Sequence, residues 1–116
     1  MRGFRKKIMI KHIVMWTLKD EAEGADKATN LLKMQALLES CKELVPGILT
    51  FEVSLAQPGL ECTCDIMLYS EFDTAHSLDD YQHHPLHVAT KPFIGAVRAT
   101  RHCMDVLVEA PVTSSL

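Results

Sequence analysis

The chain has 116 residues, of which 47 % are hydrophobic and 23 % are charged, values typical of a single globular domain with a modest core. Its formal net charge of −3 argues against a general affinity for nucleic acids. No apolar run approaches the roughly 20 residues that a transmembrane helix requires. We therefore predict a cytoplasmic protein with no nucleic-acid partner and no membrane attachment.

The N-terminal residues differ in character from the segment that follows them. Residues 1–8 carry four Lys or Arg side chains without periodicity, so we predict a basic tail there, a folded domain over 9–109 and a polar tail over 110–116. The apolar run after residue 8 is interrupted by Lys11 and His12 and lacks a small-residue cleavage site. These features argue against a secretory signal peptide.

Residues 9–18 alternate in the manner of a β-strand. Val14 and Trp16 share one face with His12, and the other face is also mostly apolar, so we expect both faces to be covered. His12 is the polar exception on its face. Its simplest interpretation is a core histidine that makes a local hydrogen bond.

The first helix is expected between Asp20 and Pro46. Asp20 and Glu23 have the spacing of a capping box at a helix start. Apolar residues then recur at helical spacing, although Gly24 moves the firm part of the helix beyond it. Pro46 and Gly47 end the pattern.

Two further strands are predicted to form a hairpin. The second strand covers about 48–55 and the third about 62–70, with a turn at 57–59. Cys62 and Cys64 fall on one face of the third strand in this assignment, beside apolar neighbours. Their CxC spacing differs from the CxxC of common metal and redox sites, so we expect buried thiols and no disulfide.

Residues 81–87, Tyr-Gln-His-His-Pro-Leu-His, concentrate three of the six histidines, whose side chains transfer protons near neutral pH. A proline disfavours the α conformation at the preceding residue, so a helix should end before His84. Pro85 suits the first turn of a second short helix that carries His87. The helical pattern becomes irregular over 91–95. The segment therefore predicts a helix–proline–helix corner that aims its side chains in different directions.

A final strand over about 100–108 completes the order β-α-β-β-α-β. This order is typical of an α+β, ferredoxin-like fold with a four-stranded antiparallel sheet. Right-handed crossovers place both helices on one face of the sheet. Ile13, Met15 and Met104 then leave apolar side chains on the other face, which is typical of an interface. We predict a homodimer in which two sheets pack face to face.

Several short motifs, in this order and spacing, resemble the stress-responsive α/β-barrel (Dabb) domain family over residues 9–109. They are Ile10-Lys11-His12-Ile13-Val14, Val45-Pro46-Gly47-Ile48, the runs 65–73 and 81–87, and Arg101 with Asp105. The resemblance implies a ferredoxin-like subunit that dimerises into an α+β barrel. It also implies a distant relationship to olivetolic acid cyclase, a plant member that closes a linear polyketide by aldol condensation without a metal or organic cofactor.

The resemblance further implies a site between the sheet and the helices. The residues assigned to it share one pocket: Tyr81, His12, His84, His87, Val14 and Trp16. In an enzyme, His87 would be the general base that removes a proton next to a carbonyl, and Tyr81 would donate a hydrogen bond to the enolate oxygen. Without catalysis, the same pocket would bind a small apolar or carbonyl-containing ligand. No cofactor is expected in either case.

Two other interpretations of the histidine cluster remain open. His84 and His87 would be architectural if they donate to backbone carbonyls freed by the helix break, with Tyr81 packed beneath them. His83 and His87 have the i, i+4 spacing of some metal sites, but Pro85 breaks the helix between them and no cysteine or carboxylate completes the set. We therefore predict no metal.

Overall fold

The computed structural model describes residues 6–111 and the side chains of residues 8–109. In chain order its elements are β1 (Lys6–Leu18), β2 (Glu21–Ala22), β3 (Ala25–Asp26), α1 (Lys27–Glu39), β4 (Ile48–Leu55), β5 (Ile66–Phe72), α2 (Ala75–His83), α3 (Pro85–Val88), α4 (Lys91–Val97) and β6 (Arg98–Pro111). Both terminal strands are longer than the sequence predicts. The remaining residues of the two predicted tails, 1–5 and 112–116, lie outside the described region.

Four strands form one antiparallel sheet in the order β4-β5-β1-β6, which confirms the predicted ferredoxin-like α+β fold. β1 pairs with β5 along one edge and with β6 along the other. Val14 lies opposite Leu68 on β5 and opposite Cys103 on β6. Because side chains at paired positions share a face, this register fixes which side chains meet the helices.

The helices α1 and α2 pack on the face that carries Val14, and they contact mainly β1, β4 and β5. Two groups of buried side chains form the core. The first group joins α1 and α4 to the sheet: Val14, Trp16, Leu18, Met34, Leu38, Ile66, Leu68 and Val97. The second lies beneath α2: Cys41, Phe72, Leu78 and Tyr81. Within residues 8–109, every fully buried strand side chain belongs to this face.

The predicted helix start at Asp20 is wrong, because a small hairpin precedes the helix. Glu23 and Gly24 both have positive φ, which makes the two-residue turn that joins β2 to β3. α1 begins only after Asp26, whose carboxylate accepts a hydrogen bond from the Thr29 backbone N–H at 2.8 Å. The acidic spacing that resembles a capping box therefore belongs to a turn.

β5 begins at Ile66, four residues later than predicted, so the interpretation of Cys62 and Cys64 as buried strand thiols is wrong. Both residues lie in the loop before β5; Cys62 is exposed and Cys64 is partly buried. The loop is tied to β1 through Asp65, whose carboxylate accepts from the Leu18 backbone N–H at 2.8 Å. This polar contact holds the loop beside β1 just before β5 begins, and hydrophobic alternation in the sequence does not reveal it.

The predicted corner is present at His84, whose φ of −61° and ψ of 134° are extended. α2 ends at the residue before it, and Pro85 occupies the first turn of α3. The irregular segment predicted over 91–95 is instead the helix α4. Pro92 is tolerated there because the first turn of a helix needs no N–H from it.

The opposite face of the sheet is apolar at its centre. Met15 is 38 % exposed and Met104 is 66 % exposed, and Met104 lies opposite Ile13 across the β1–β6 pair. The exposed apolar centre predicted from the sequence is therefore present. No helix among residues 6–111 is both long enough and apolar enough to cross a lipid bilayer.

Candidate functional site

A cavity of about 510 Å³ lies between the sheet and the corner formed by α2, α3 and α4. Its apolar wall consists of Val14, Trp16, Leu38, Leu68 and Ile94. Two imidazoles, those of His12 and His87, also line it. The volume falls within the roughly 300–1,000 Å³ of small-molecule pockets. The proline corner and the central strand thus bring four of the six predicted site residues to one space.

His12 lies on the floor of this cavity and is only 5 % exposed. Its Nδ1 lies 2.5 Å from Oδ1 of Asp105, which is half-exposed on the neighbouring strand β6. Because a carboxylate only accepts, Nδ1 carries the donated proton and Nε2 is the nitrogen left for other contacts. The predicted local hydrogen bond of His12 is wrong, since its partner lies 93 residues away in the chain.

His87 is fixed by the backbone of the helix that precedes it. Its Nδ1 donates to the Gln82 carbonyl at 3.1 Å, so the neutral ring has its lone pair on Nε2. Burial lowers the pKa of His87 below its ordinary value, and the charges of Lys91 and Arg101 lower it further, against the opposing effect of the Gln82 hydrogen bond. The lowered pKa favours the neutral ring, in which Nε2 is the nitrogen that can accept a proton.

Tyr81 is completely buried beneath His87, and the centroids of the two rings are 4.6 Å apart. Burial, and then the neighbouring Cys41, raise the pKa of Tyr81, so the phenol stays protonated. Its hydroxyl has no hydrogen-bond partner among the described residues. Tyr81 does not line the cavity as it stands. It supports the imidazole from below, as the architectural interpretation predicts.

His84 lies outside the cavity lining, unlike the other predicted histidines. Its Nδ1 accepts a hydrogen bond from the Leu86 backbone N–H at 3.1 Å and caps α3, whereas the architectural interpretation has it donate. His83 lines the cavity, and its Nδ1 bonds to the Asp79 carbonyl at 2.9 Å. Across the described part of the chain, no three His, Cys, Asp or Glu side chains are grouped to hold a metal ion.

Three cationic residues at the cavity were missed as site residues by the sequence reasoning: Lys91, Arg98 and Arg101. Lys91 and Arg98 flank the two ends of α4. Arg101 lies opposite Trp16 across the β1–β6 pair, so its place at the cavity follows from strand register. The register of the β1–β6 pair was the one feature that could have identified Arg101 as a site residue. The sequence analysis named Arg101 only as part of a family motif and gave it no role.

The family model for the stress responsive A/B barrel domain matches residues 10–108. A dimeric protein of unknown function with a ferredoxin-like fold from Bacteroides fragilis NCTC 9343 is 32 % identical, with 84 % of this chain and 94 % of that chain covered and a TM-score of 0.70. A dimeric ferredoxin-like protein of unknown function from Thermobifida fusca is 17 % identical, with 87 % of this chain and 92 % of that chain covered and a TM-score of 0.75.

A Dabb family protein with a ferredoxin-like fold from Mesorhizobium loti is 23 % identical, with 85 % of this chain and 95 % of that chain covered and a TM-score of 0.61. No curated protein shows significant similarity to the chain. The family match confirms the resemblance noted from the motifs, and the structural likenesses agree with the ferredoxin-like fold.

Proposed function

The chain belongs to the stress responsive A/B barrel domain family, and on this basis we propose that it is a homodimer that binds a small apolar or carbonyl-containing ligand between sheet and helices. The cavity of about 510 Å³ carries this proposal. Val14 and Trp16 supply apolar surface, and His12 and His87 supply polar groups on the same space. An apolar pocket with a few convergent polar groups is the usual form of a small-molecule site.

Methyl 2-naphthoate, a neutral aromatic ester, is a suitable first probe. Trp16 is the sole tryptophan and lines the cavity, so its fluorescence reports occupancy. We expect the probe to quench this fluorescence in a saturable way, with one site per chain. Gly95 also lines the cavity, and a Cβ added there would meet no atom within 4 Å. Gly95→Phe should therefore block the cavity, whereas Gly95→Ala should leave it open.

Binding to wild type and to Gly95→Ala, with at least a tenfold loss in Gly95→Phe, would support the proposed site. No quenching in wild type, or equal binding to all three proteins, would contradict ligand binding in this cavity. Thermal unfolding of the two variants provides the control for folding, since both should melt cooperatively.

The proposed homodimer uses the open sheet face around Met104. The Bacteroides fragilis and Thermobifida fusca proteins are described as dimeric, and this chain exposes an apolar centre on the corresponding sheet. Met104→Glu should yield monomers in sedimentation velocity because it places a charge in the interface. Leu60→Glu is the matched control, since Leu60 is 67 % exposed but lies in the β4–β5 loop. A monomeric wild type, or a dimeric Met104→Glu variant, would contradict this interface.

The cytoplasmic location of the protein stays a prediction.

A second candidate function is cofactor-free proton transfer, as in a lyase, cyclase or isomerase. The observation in its favour is the Gln82 hydrogen bond, which leaves Nε2 as the basic nitrogen of His87, a residue that lines the cavity together with an apolar wall. His87 would take the proton from the carbon next to a carbonyl, and the Tyr81 hydroxyl would donate to the enolate oxygen. This requires the ligand to reach beneath His87, because Tyr81 is fully buried there.

Exchange of the methyl protons of 2-naphthyl methyl ketone in D2O, followed by NMR, separates the two functions. Catalysis predicts exchange faster than in buffer, reduced by about 10²-fold or more in His87→Gln and reduced in Tyr81→Phe. Exchange at the buffer rate, with the ketone bound, would leave ligand binding as the function and would exclude His87 as a general base for this ketone.

A further inference from the structure

The charge around the cavity is one-sided. Lys91, Arg98 and Arg101 line it, whereas no Asp or Glu side chain does so within residues 8–109. The chain as a whole has a net charge of −3, so this grouping runs against the average. Three positive groups around a partly apolar space favour a negatively charged occupant.

Neighbouring carboxylates of the described residues do not neutralise these cations. In the described region, none of the three forms an ion pair with Asp or Glu. The carboxylate of Asp105, on the same face of β6 as Arg101, is bonded to His12. A bound anion could therefore pair with the cations without first breaking a bond inside the protein.

The cations and the apolar wall lie on adjoining parts of one surface. Arg101 is the cross-strand neighbour of Trp16, and both residues line the cavity. Lys91 and Arg101 are both near enough to His87 to lower its pKa. The site thus combines apolar surface with positive charge, a combination that suits an amphipathic acid.

We propose that the ligand is a small organic anion, a carboxylate attached to an aromatic or branched apolar group. Its carboxylate pairs with Arg101, assisted by Arg98 and Lys91, and its apolar part packs on Trp16. The planar guanidinium matches a carboxylate through two parallel hydrogen bonds, which gives direction as well as charge. This inference rests on the proposed function, because it names the class of ligand for the same cavity.

The test compares 2-naphthoate with methyl 2-naphthoate, two probes that share their ring and carbonyl and differ in charge. Fluorescence of Trp16 reports both titrations. We expect wild type to bind the anion at least tenfold more tightly than the ester. Arg101→Gln should remove most of that preference while the ester keeps its affinity, which shows that the cavity remains folded. Arg101→Lys should keep part of the preference.

The control is Lys42→Gln, which changes net charge equally at an exposed position outside the cavity lining. It should leave both affinities within twofold. If the ester binds but the acid binds no tighter, or if Lys42→Gln weakens the acid as much as Arg101→Gln, the anion proposal is overturned while ligand binding stands. If neither probe binds, the proposed function fails and this inference fails with it.

Discussion

The strands β5 and β6 flank β1 at the same register but have opposite environments. On β5, the helix-facing side chains Ile66, Leu68, Ser70 and Phe72 are all buried. Their counterparts across β1, at the same four positions, are all exposed: Arg101, Cys103, Asp105 and Leu107. One half of this sheet face is therefore a closed core, and the other half is open, with Arg101 lining the cavity.

The difference shows how one sheet provides both stability and a site. Helices α1 and α2 cover β5, where apolar side chains give the contact its free energy. β6 instead presents the charged groups of Arg101 and Asp105, which need water, a partner or a ligand. His12 lies between the two halves and contacts both. Ser70 Oγ on β5 donates to the His12 backbone carbonyl at 2.9 Å, and the His12 ring bonds to Asp105 on β6.

The largest expected effect on stability comes from truncating Leu68, and truncation of Cys103, the other cross-strand neighbour of Val14, is its matched control. Leu68→Ala should lower the free energy of unfolding by about 2–5 kcal/mol because it removes a buried side chain that packs in the core beside the cavity. Cys103→Ala, directly across β1, should change it by less than about 0.5 kcal/mol because that side chain is exposed. Urea unfolding at one fixed protein concentration measures both. Equal losses would show that β6 is covered as fully as β5.

A smaller effect is expected at the partner of His12. Asp105→Ala should cost about 1–2 kcal/mol because it leaves a buried ring nitrogen without its acceptor. Asp105→Asn keeps an acceptor oxygen at the same place and should recover at least half of the loss. The same unfolding experiment applies, and no loss in Asp105→Ala would mean that water replaces the carboxylate.

The pH dependence of stability tests whether His87 belongs to the buried half or the open half. Since burial first of all lowers its pKa in the folded protein, the unfolded chain binds more protons there at mildly acidic pH. Its contribution to stability is complete above its unfolded pKa of roughly 6.5 and is lost as the pH falls through the lower folded value. His87→Gln should flatten the decline in denaturation midpoint between about pH 7 and pH 5. An unchanged pH profile would place the ring in water.

Another small effect is expected for Tyr81→Phe. The hydroxyl is buried without a partner among residues 8–109, so its removal should change the free energy of unfolding by less than about 1 kcal/mol. A loss larger than this would reveal a hydrogen bond that holds the corner. If the loss stays below this limit, the fold is unaffected, and any effect of Tyr81→Phe on ketone exchange then reports the role of the hydroxyl in the reaction.

Much of this fold follows from local rules in the sequence. Pro85 disfavours the α conformation at His84, so the corner could be predicted from neighbouring residues, whereas the place of His87 in the pocket followed from the family resemblance. The alternation around Val14 identified the central strand in the same way, whereas its helix-facing side followed only from the family resemblance. Hydrophobic alternation also left Met15 and Met104 on the opposite face.

The features that sequence reasoning missed depend on long-range pairing. Asp105 meets His12 across 93 residues, and Arg101 reaches the cavity because of the β1–β6 register. Neither contact produces a periodic pattern of residues in the sequence that could have predicted it. The prediction of a helix start at Asp20 was wrong for a different reason. Glu23 and Gly24 adopt a left-handed turn, which is incompatible with an α-helix at these residues.

The most direct test of the account uses the single indole N–H signal of the protein in a 1H–15N NMR spectrum. Trp16 gives this signal, and its Nε1 is buried beside the cavity without a partner among the described residues. Titration with 2-naphthoate should shift the signal until one equivalent per chain is bound, and Gly95→Phe should abolish the shift. An indole signal that stays in place while the acid binds elsewhere would contradict the cavity as the functional site.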